Sequence, residues 1–215
     1  MSRNAVPLTT HDLVARAKAL AVAGERRVLG LTGAPGAGKS TLAEVLAAAL
    51  GPDLAVVAGM DGFHLSNAVL ERHGSRDRKG AIDTFDDTGY ATLVERLARA
   101  GRGDPPVYAP AFRRDLEEPI AAGIEVPSTV PLVISEGNYL LVPSGAWPAA
   151  RALMAEVWYL DPIEDLRLER LVARHHAYGK PMPDARAWAL GTDQRNADLI
   201  VRTRDDADLV VEWTA

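Results

Sequence analysis

The segment Gly33-Ala34-Pro35-Gly36-Ala37-Gly38-Lys39-Ser40 constrains this chain more than any other stretch, because it matches G-x-x-x-x-G-K-[ST] in full. Its glycines let the backbone curl until successive N–H groups point inward at phosphate oxygens, and the helix that follows adds the partial positive charge of its N-terminus. Lys39 then supplies a point charge for the β and γ phosphates, and the Ser40 hydroxyl a ligand for Mg²⁺ bridging them. Such a loop belongs between a buried strand and a helix. The flanks meet that demand: Val28 to Leu31 is a short apolar run, and Ser40 to Leu50 is rich in Ala and Leu and stops at Gly51-Pro52. The expected nucleotide-binding set is Gly33 through Ser40, with Thr41.

The rest of the chain repeats the strand and helix alternation. A helix is expected over about 9–23, where Leu13, Ala17, Leu20 and Ala21 share a face. Leu54 to Met60 and Leu132 to Ser135 read as buried strands, ending on Asp61-Gly62 and Glu136-Gly137. Between them lie helices near Ser66 to His73 and Thr88 to Ala100, separated by an arginine-rich loop from Gly74 to Asp83. Prolines then punctuate 105–130, a substrate-side insertion whose only strand candidates are Val107-Tyr108 and Ile124 to Val126. Glu156 to Leu160 reads as a strand; Asp161 is placed to cap the next helix, with Pro162 at its first position and Glu164 completing a capping pair. After a Gly/Pro break at 179–183, a helix begins near Asp184, and Leu209 to Trp213 is a final strand. The pattern predicts one α/β domain over 1–215: a mostly parallel sheet with helices on both faces, and ligands beyond the carboxyl ends of the strands.

Composition narrows the partners. Of the 215 residues, 24 are Lys or Arg and 29 Asp or Glu, a formal charge of -5 that argues against a broad nucleic-acid surface. There is no cysteine, so thiolate chemistry and Cys-ligated metals are excluded. No apolar run approaches the roughly 18 residues of a membrane span, and residues 1–12 lack a signal-peptide pattern, which predicts a cytoplasmic protein. The expected partner is a small molecule, with a homodimer left open.

Two carboxylates decide what the bound phosphate is for. Asp61 falls where a base could accept the proton of an attacking hydroxyl, or it merely turns the chain before Gly62. Glu136 falls where it could bind Mg²⁺, or it is a strand end facing solvent. Arg167, Arg170 and Arg174 share a helix face and fit either a lid over the phosphates or a solvated face paired with Glu164 and Glu169, with His175, His176 and Lys180 nearby. Acceptor-pocket candidates are Phe63, His64, Tyr108, Phe112, Arg113 and Arg114. Arg72, Arg76, Arg78 and Lys79 either receive an acidic group of the acceptor or solvate their loop, and solvation carries more weight.

These residues resemble a known family. The phosphate loop, Asp61-Gly62-Phe63-His64, Pro106-Val107-Tyr108, Glu136-Gly137-Asn138-Tyr139 and Trp158-Tyr159-Leu160-Asp161 look like the phosphoribulokinase/uridine kinase group of P-loop kinases. Within it they are most similar to bacterial members described as nucleoside kinase-like or fructose transport system kinases. The resemblance runs from about Val28 to the C-terminus and implies a P-loop NTPase three-layer α/β/α sandwich with a lid over about 167–183. It also implies ATP- and Mg²⁺-dependent phosphorylation of a small-molecule hydroxyl, with Asp61 as base, Glu136 and Ser40 on the metal, and Lys39, Arg170 and Arg174 on the transferring group. A fructose-like sugar or a nucleoside is the expected acceptor, with pantothenate as an alternative. A nucleotide sensor without chemistry would need neither Asp61 nor Glu136. A guanine-reading Asn/Thr-Lys-x-Asp motif and a Leu-Ser-Gly-Gly signature are both absent, which argues against regulatory GTPases and ABC-type ATPases.

Overall fold

Val28, Val133, Val157 and Val210 enter one apolar cluster, while Leu29, Ile134, Trp158 and Val211, each next along the chain, enter a second. A period of two with both sets buried marks strands covered on both faces. The computed structural model describes residues 4–22 and 24–213, so position 23, the expected end of the leading helix, lies outside the described residues.

In chain order the elements are β1 (Val6–Pro7), α1 (Thr10–Leu20), β2 (Arg27–Thr32), α2 (Lys39–Leu50), β3 (Ala55–Val57), α3 (Asn67–Arg72), α4 (Asp87–Arg99), β4 (Val107–Arg113), β5 (Glu118–Val126), β6 (Leu132–Glu136), α5 (Trp147–Arg151), β7 (Glu156–Leu160), α6 (Glu164–Ala177), α7 (Met182–Trp188), α8 (Gln194–Val201) and β8 (Leu209–Glu212). Six strands form one sheet in the order β1-β8-β7-β2-β6-β3, and every pairing in it is parallel. The second cluster is built with α1 and α2, through Leu13, Ala17, Leu42 and Leu46; the first is built with α4 and α5, through Tyr90, Leu93, Leu97 and Trp147. This is the expected three-layer P-loop NTPase fold. The central strand β2, flanked by β7 and β6, delivers the phosphate loop to the crevice where ligands of such sheets bind.

Several elements differ from the sequence expectation. β3, the edge strand paired with β6, stops at Val57, and Met60–Phe63 then winds into a 3₁₀ turn that carries Asp61. Asp161 does not cap α6. Its carboxylate accepts from Arg204 Nε at 2.8 Å, and the helix starts at Glu164 after Ile163, which makes no side-chain cap. α7 starts at Met182 with a proline in its first turn, earlier than Asp184. The proline-punctuated insertion is a regular antiparallel hairpin, β4 with β5, which stands outside the main sheet. Pro110 sits at its register shift, between Ala109 and Ala111, and Pro119 lies in β5, which pairs with β4 alone; both are positions where a missing N–H costs the ladder little. The strand β1, the helix α5 and a π turn over Ala189–Asp193 carry no local signal that the sequence pattern detects.

The hairpin crosses the Asp61 turn at very short range. A Cβ on Gly62 would lie 2.4 Å from the Pro110 carbonyl oxygen, so only glycine lets β4 press onto this turn. Gly62→Ala is therefore expected to cost roughly 1–3 kcal/mol, the range of an overpacked core. At about 2–4 °C per kcal/mol for a chain of this size, thermal unfolding reads this directly, and an unshifted transition would show that the crossing is looser than drawn.

Candidate active site

The phosphate loop is seated by two buried cations. Lys39 Nζ, on a side chain almost closed to solvent, donates to the Gly33 and Ala34 carbonyls at 2.9 and 3.1 Å. Arg167, 1% exposed, donates from Nη1 to the Pro35 carbonyl at 2.8 Å and is itself held by Glu164 and by Gln194 Oε1 at 2.8 Å. Arg167 thus leaves the expected lid face and clamps the loop from behind. Gly36 adopts a positive φ of 86°, and a Cβ there would lie 2.6 Å from the Arg167 carbonyl oxygen, so a side chain is excluded on both counts.

Glu136 closes the other side. Tyr90 Oη and Ser135 Oγ are 2.9 Å apart, and Ser135 Oγ donates to the Ala58 carbonyl at 2.8 Å, which fixes the end of β6 against the chain leaving β3. Glu136 Oε1 then accepts from Ser40 Oγ at 3.2 Å. Burial pushes the Glu136 carboxyl up to about 7, reinforced by the Asp61 charge and opposed by Lys39. The same burial draws the Lys39 ammonium down to about 8. A half-buried carboxylate whose one hydrogen-bond donor among the described residues is the Ser40 hydroxyl, with a lysine that shares its field, is a site where a divalent cation would replace missing solvation. The residues fit Mg²⁺, a hard cation that takes one or two protein oxygens and fills its shell with phosphate and water. Among the described residues no group of three or more His, Asp or Glu is arranged to hold a metal alone.

Asp61 projects into the same cleft, its side chain 33% exposed, with Arg114 Nη2 3.7 Å from Oδ2. His64 stands between Phe85 and Phe112, ring centroids 4.0 and 4.8 Å away, and its Nδ1 lies 2.8 Å from the Asp61 carbonyl oxygen. Burial lowers the His64 pKa, so a neutral ring donates from Nδ1 and keeps Nε2 as an acceptor.

Two clefts meet over Lys39 and Ser40. One, of about 330 Å³, is lined by Asp61, His64, Phe112 and Glu136; the other, of about 440 Å³, by Thr41, Glu44, Arg170 and Trp213. Arg114, Arg174 and Tyr178 border both, with the Arg114 guanidinium carbon 5.7 Å from the Tyr178 ring centroid. Three expected pocket residues fall elsewhere. Phe63 packs edge-on to Tyr90 against the core. Tyr108 is exposed and Arg113 pairs outward with Asp115 at 2.7 Å, because the register shift at Pro110 leaves Phe112 and Arg114 facing the cleft. The sequence reading missed Trp188, Asp193 and Asn196, which reach the cleft from the C-terminal helices. The π turn rotates the 9%-exposed Asp193 inward to His175 Nε2, 2.6 Å away.

Comparisons with known proteins give this arrangement its family. An ATP-dependent kinase-like protein, notR', of Aspergillus versicolor is 36% identical over 67% of this chain and 88% of its own length. A candidate uridine kinase of Schizosaccharomyces pombe is 34% identical over 78% of this chain and 74% of its own. The crystal structure of a candidate fructose transport system kinase from Silicibacter sp. TM1040 superposes with a TM-score of 0.83 at 37% identity, covering 96% of this chain and 100% of that one. The profile described as methylmalonyl Co-A mutase-associated GTPase MeaB matches residues 5–61, the phosphate-loop segment. The chain belongs to the uridine kinase/phosphoribulokinase group of P-loop kinases.

The raised Glu136 value has a consequence for stability. The native state keeps a proton that the unfolded chain has already released, so this contribution is complete below the ordinary carboxylate range and is lost as pH rises through about 7. Glu136→Gln, neutral at every pH, is expected to gain stability relative to the parent between about pH 5 and pH 8. Urea midpoints across that range test it; parallel curves would mean that the carboxyl is not held in this way.

Proposed function

We propose that this protein transfers the γ-phosphate of ATP to a hydroxyl of a small molecule. The observation that carries the reading is the pair of clefts that meet at Lys39, Ser40, Arg114 and Arg174. One cleft offers Arg170, Trp213 and the first turn of α2 to a nucleotide, with Gly33 to Ser40 and Thr41 around its phosphates. The other offers Asp61 and an aromatic wall to an acceptor. Kinase-named relatives support phosphotransfer as the chemistry.

In this reading Lys39, Arg114 and Arg174 surround the group that moves, where fixed positive charge stabilises the transition state. Bound Mg²⁺, held by Ser40 and Glu136, would neutralise phosphate charge. Asp61 orients the acceptor hydroxyl and takes its proton. The Arg114 guanidinium faces the Asp61 carboxylate at 3.7 Å, and the neutral His64 bonds the backbone of the same turn, so the base is steadied from both sides. Arg170 and Arg174, on the α6 face toward the loop, act as the lid cations and limit the access of water. His64, Phe112 and Arg114 contact the acceptor. A sugar or a nucleoside fits these walls, which combine stacking rings with polar atoms.

Removing the base while keeping its shape tests the assignment. Asp61→Asn is expected to lower turnover by about 10²- to 10⁴-fold with nucleotide binding retained, measured as ATP-dependent phosphorylation across hexoses, pentoses, nucleosides and pantothenate. Full activity of the variant on the accepted substrate would remove Asp61 from the mechanism. ATP hydrolysis independent of any acceptor would remove the kinase reading itself.

A further inference from the structure

The arginine-rich loop after α3 exposes Arg76 and Asp77 yet is anchored at several points. The Gly80 carbonyl accepts from Tyr139 Oη at 2.6 Å and from Asn196 Nδ2 at 3.2 Å, and the Gly80 N–H donates to Thr84 Oγ1 at 2.9 Å. Ser75 and Thr84 are buried within it. Lys79, with only 7% of its side chain exposed, donates to Asn67 Oδ1 at 2.8 Å and to the Glu117 carbonyl at 2.5 Å, and its ammonium lies 5.2 Å from the Phe112 ring centroid. Two of three ammonium protons are thereby used, and one remains for the cleft. Arg78 turns away to Asp83, whereas Arg76 and Lys79 both line the acceptor cleft.

Lys180 lines the same cleft from the segment after α6, its ammonium 4.3 Å from the Trp188 ring centroid. Neither the Arg76 guanidinium nor the Lys180 ammonium makes a hydrogen bond or ion pair among the described residues, and of the acids lining the cleft Asp193 is bonded to His175, Glu136 to Ser40 and Asp61 faces Arg114, which leaves Glu117 beside the loop. Glu118 stands 3.9 Å from Lys79. Lys79 and Lys180 are held beside aromatic faces, and with the exposed Arg76 they put three cations on one cleft, two of them without a side-chain hydrogen bond or ion pair among the described residues. They are distinct from Lys39, Arg114 and Arg174, which border the phosphate junction.

We infer that the acceptor is itself an anion, carrying a carboxylate or phosphate group held by Arg76, Lys79 and Lys180 while its hydroxyl lies at Asp61. This rests on the kinase reading of the cleft and narrows it: a neutral hexose or nucleoside would leave the Arg76 and Lys180 charges unmatched. Lys79 also pins the loop, so the discriminating variants are Arg76→Ala and Lys180→Gln.

The test compares acceptors in matched pairs: glycerate with glycerol, pantothenate with pantothenol, ribose 5-phosphate with ribose, and fructose 6-phosphate with fructose. The anionic member of at least one pair is expected to be phosphorylated with the higher kcat/KM. The carboxylate and phosphate pairs show which group the site takes. On that acceptor, Arg76→Ala and Lys180→Gln should each raise KM by roughly 10- to 100-fold, the worth of a charge-assisted hydrogen bond, with a smaller change in kcat. Arg72→Ala, on the preceding helix outside the cleft, should keep the parent KM. Preference for the neutral members, with KM insensitive to both variants, would overturn the inference and leave the kinase reading standing. Nucleotide binding without transfer to any pair would overturn both.

Discussion

Everything in this molecule's site hangs on how the phosphate loop is held. A loop that aims its N–H groups inward leaves its carbonyls pointing outward, where burial would orphan them. Here Lys39 takes those of Gly33 and Ala34, and Arg167 takes that of Pro35. Both cations lie deep enough for stray charge to be costly, and both are answered: Lys39 by the field of Glu136, Arg167 by Glu164 and Gln194. Because Arg167 is on α6 and Gln194 on α8, the loop's shape is tied to helices whose other residues line the clefts. The phosphate grip and the C-terminal helices form one mechanical unit.

That unit explains what the sequence disclosed. Local chemistry was legible: the loop, its strand and helix, and the carboxylates ending the adjacent strands all announce themselves through spacing, and the parallel sheet follows from their alternation. What stayed hidden depends on contacts distant in the chain. Arg167 and Pro35 are 132 residues apart, and Gly80 and Asn196 116 apart. No periodicity reports such a bond. Asp161 looked like a cap until Arg204, folded back from beyond α8, took its carboxylate. The hairpin was obscured for another reason: its prolines occupy a register shift and a strand with a single neighbour, where the rules against proline in sheets relax.

The electrostatics carry the same lesson at the level of single groups. A net charge of -5 describes the surface and not the cleft, where cations gather from four separate segments. Counting charges along the chain could say that lysines are few. It could not say that the Lys79 side chain is a buried strut, or that of Arg76 and Arg78, two residues apart, the first lines the cleft while the second pairs with Asp83.

The register shift in the β4–β5 hairpin gives the wall of the cleft an unusual kind of adjustability. Side chains of a ribbon alternate between faces, so adding or removing one residue near Pro110 would exchange the set shown to the cleft with the set shown to solvent, swapping Phe112 for its outward neighbours. The parallel sheet and the phosphate loop would keep their pairing, since the hairpin pairs with none of the sheet's strands, and only the first core, which Val107, Ala109 and Val126 enter from the hairpin, would have to adjust. Under the proposed reading, changes of hairpin length are a short mutational route from one acceptor chemistry to another, with the phosphate loop inherited intact.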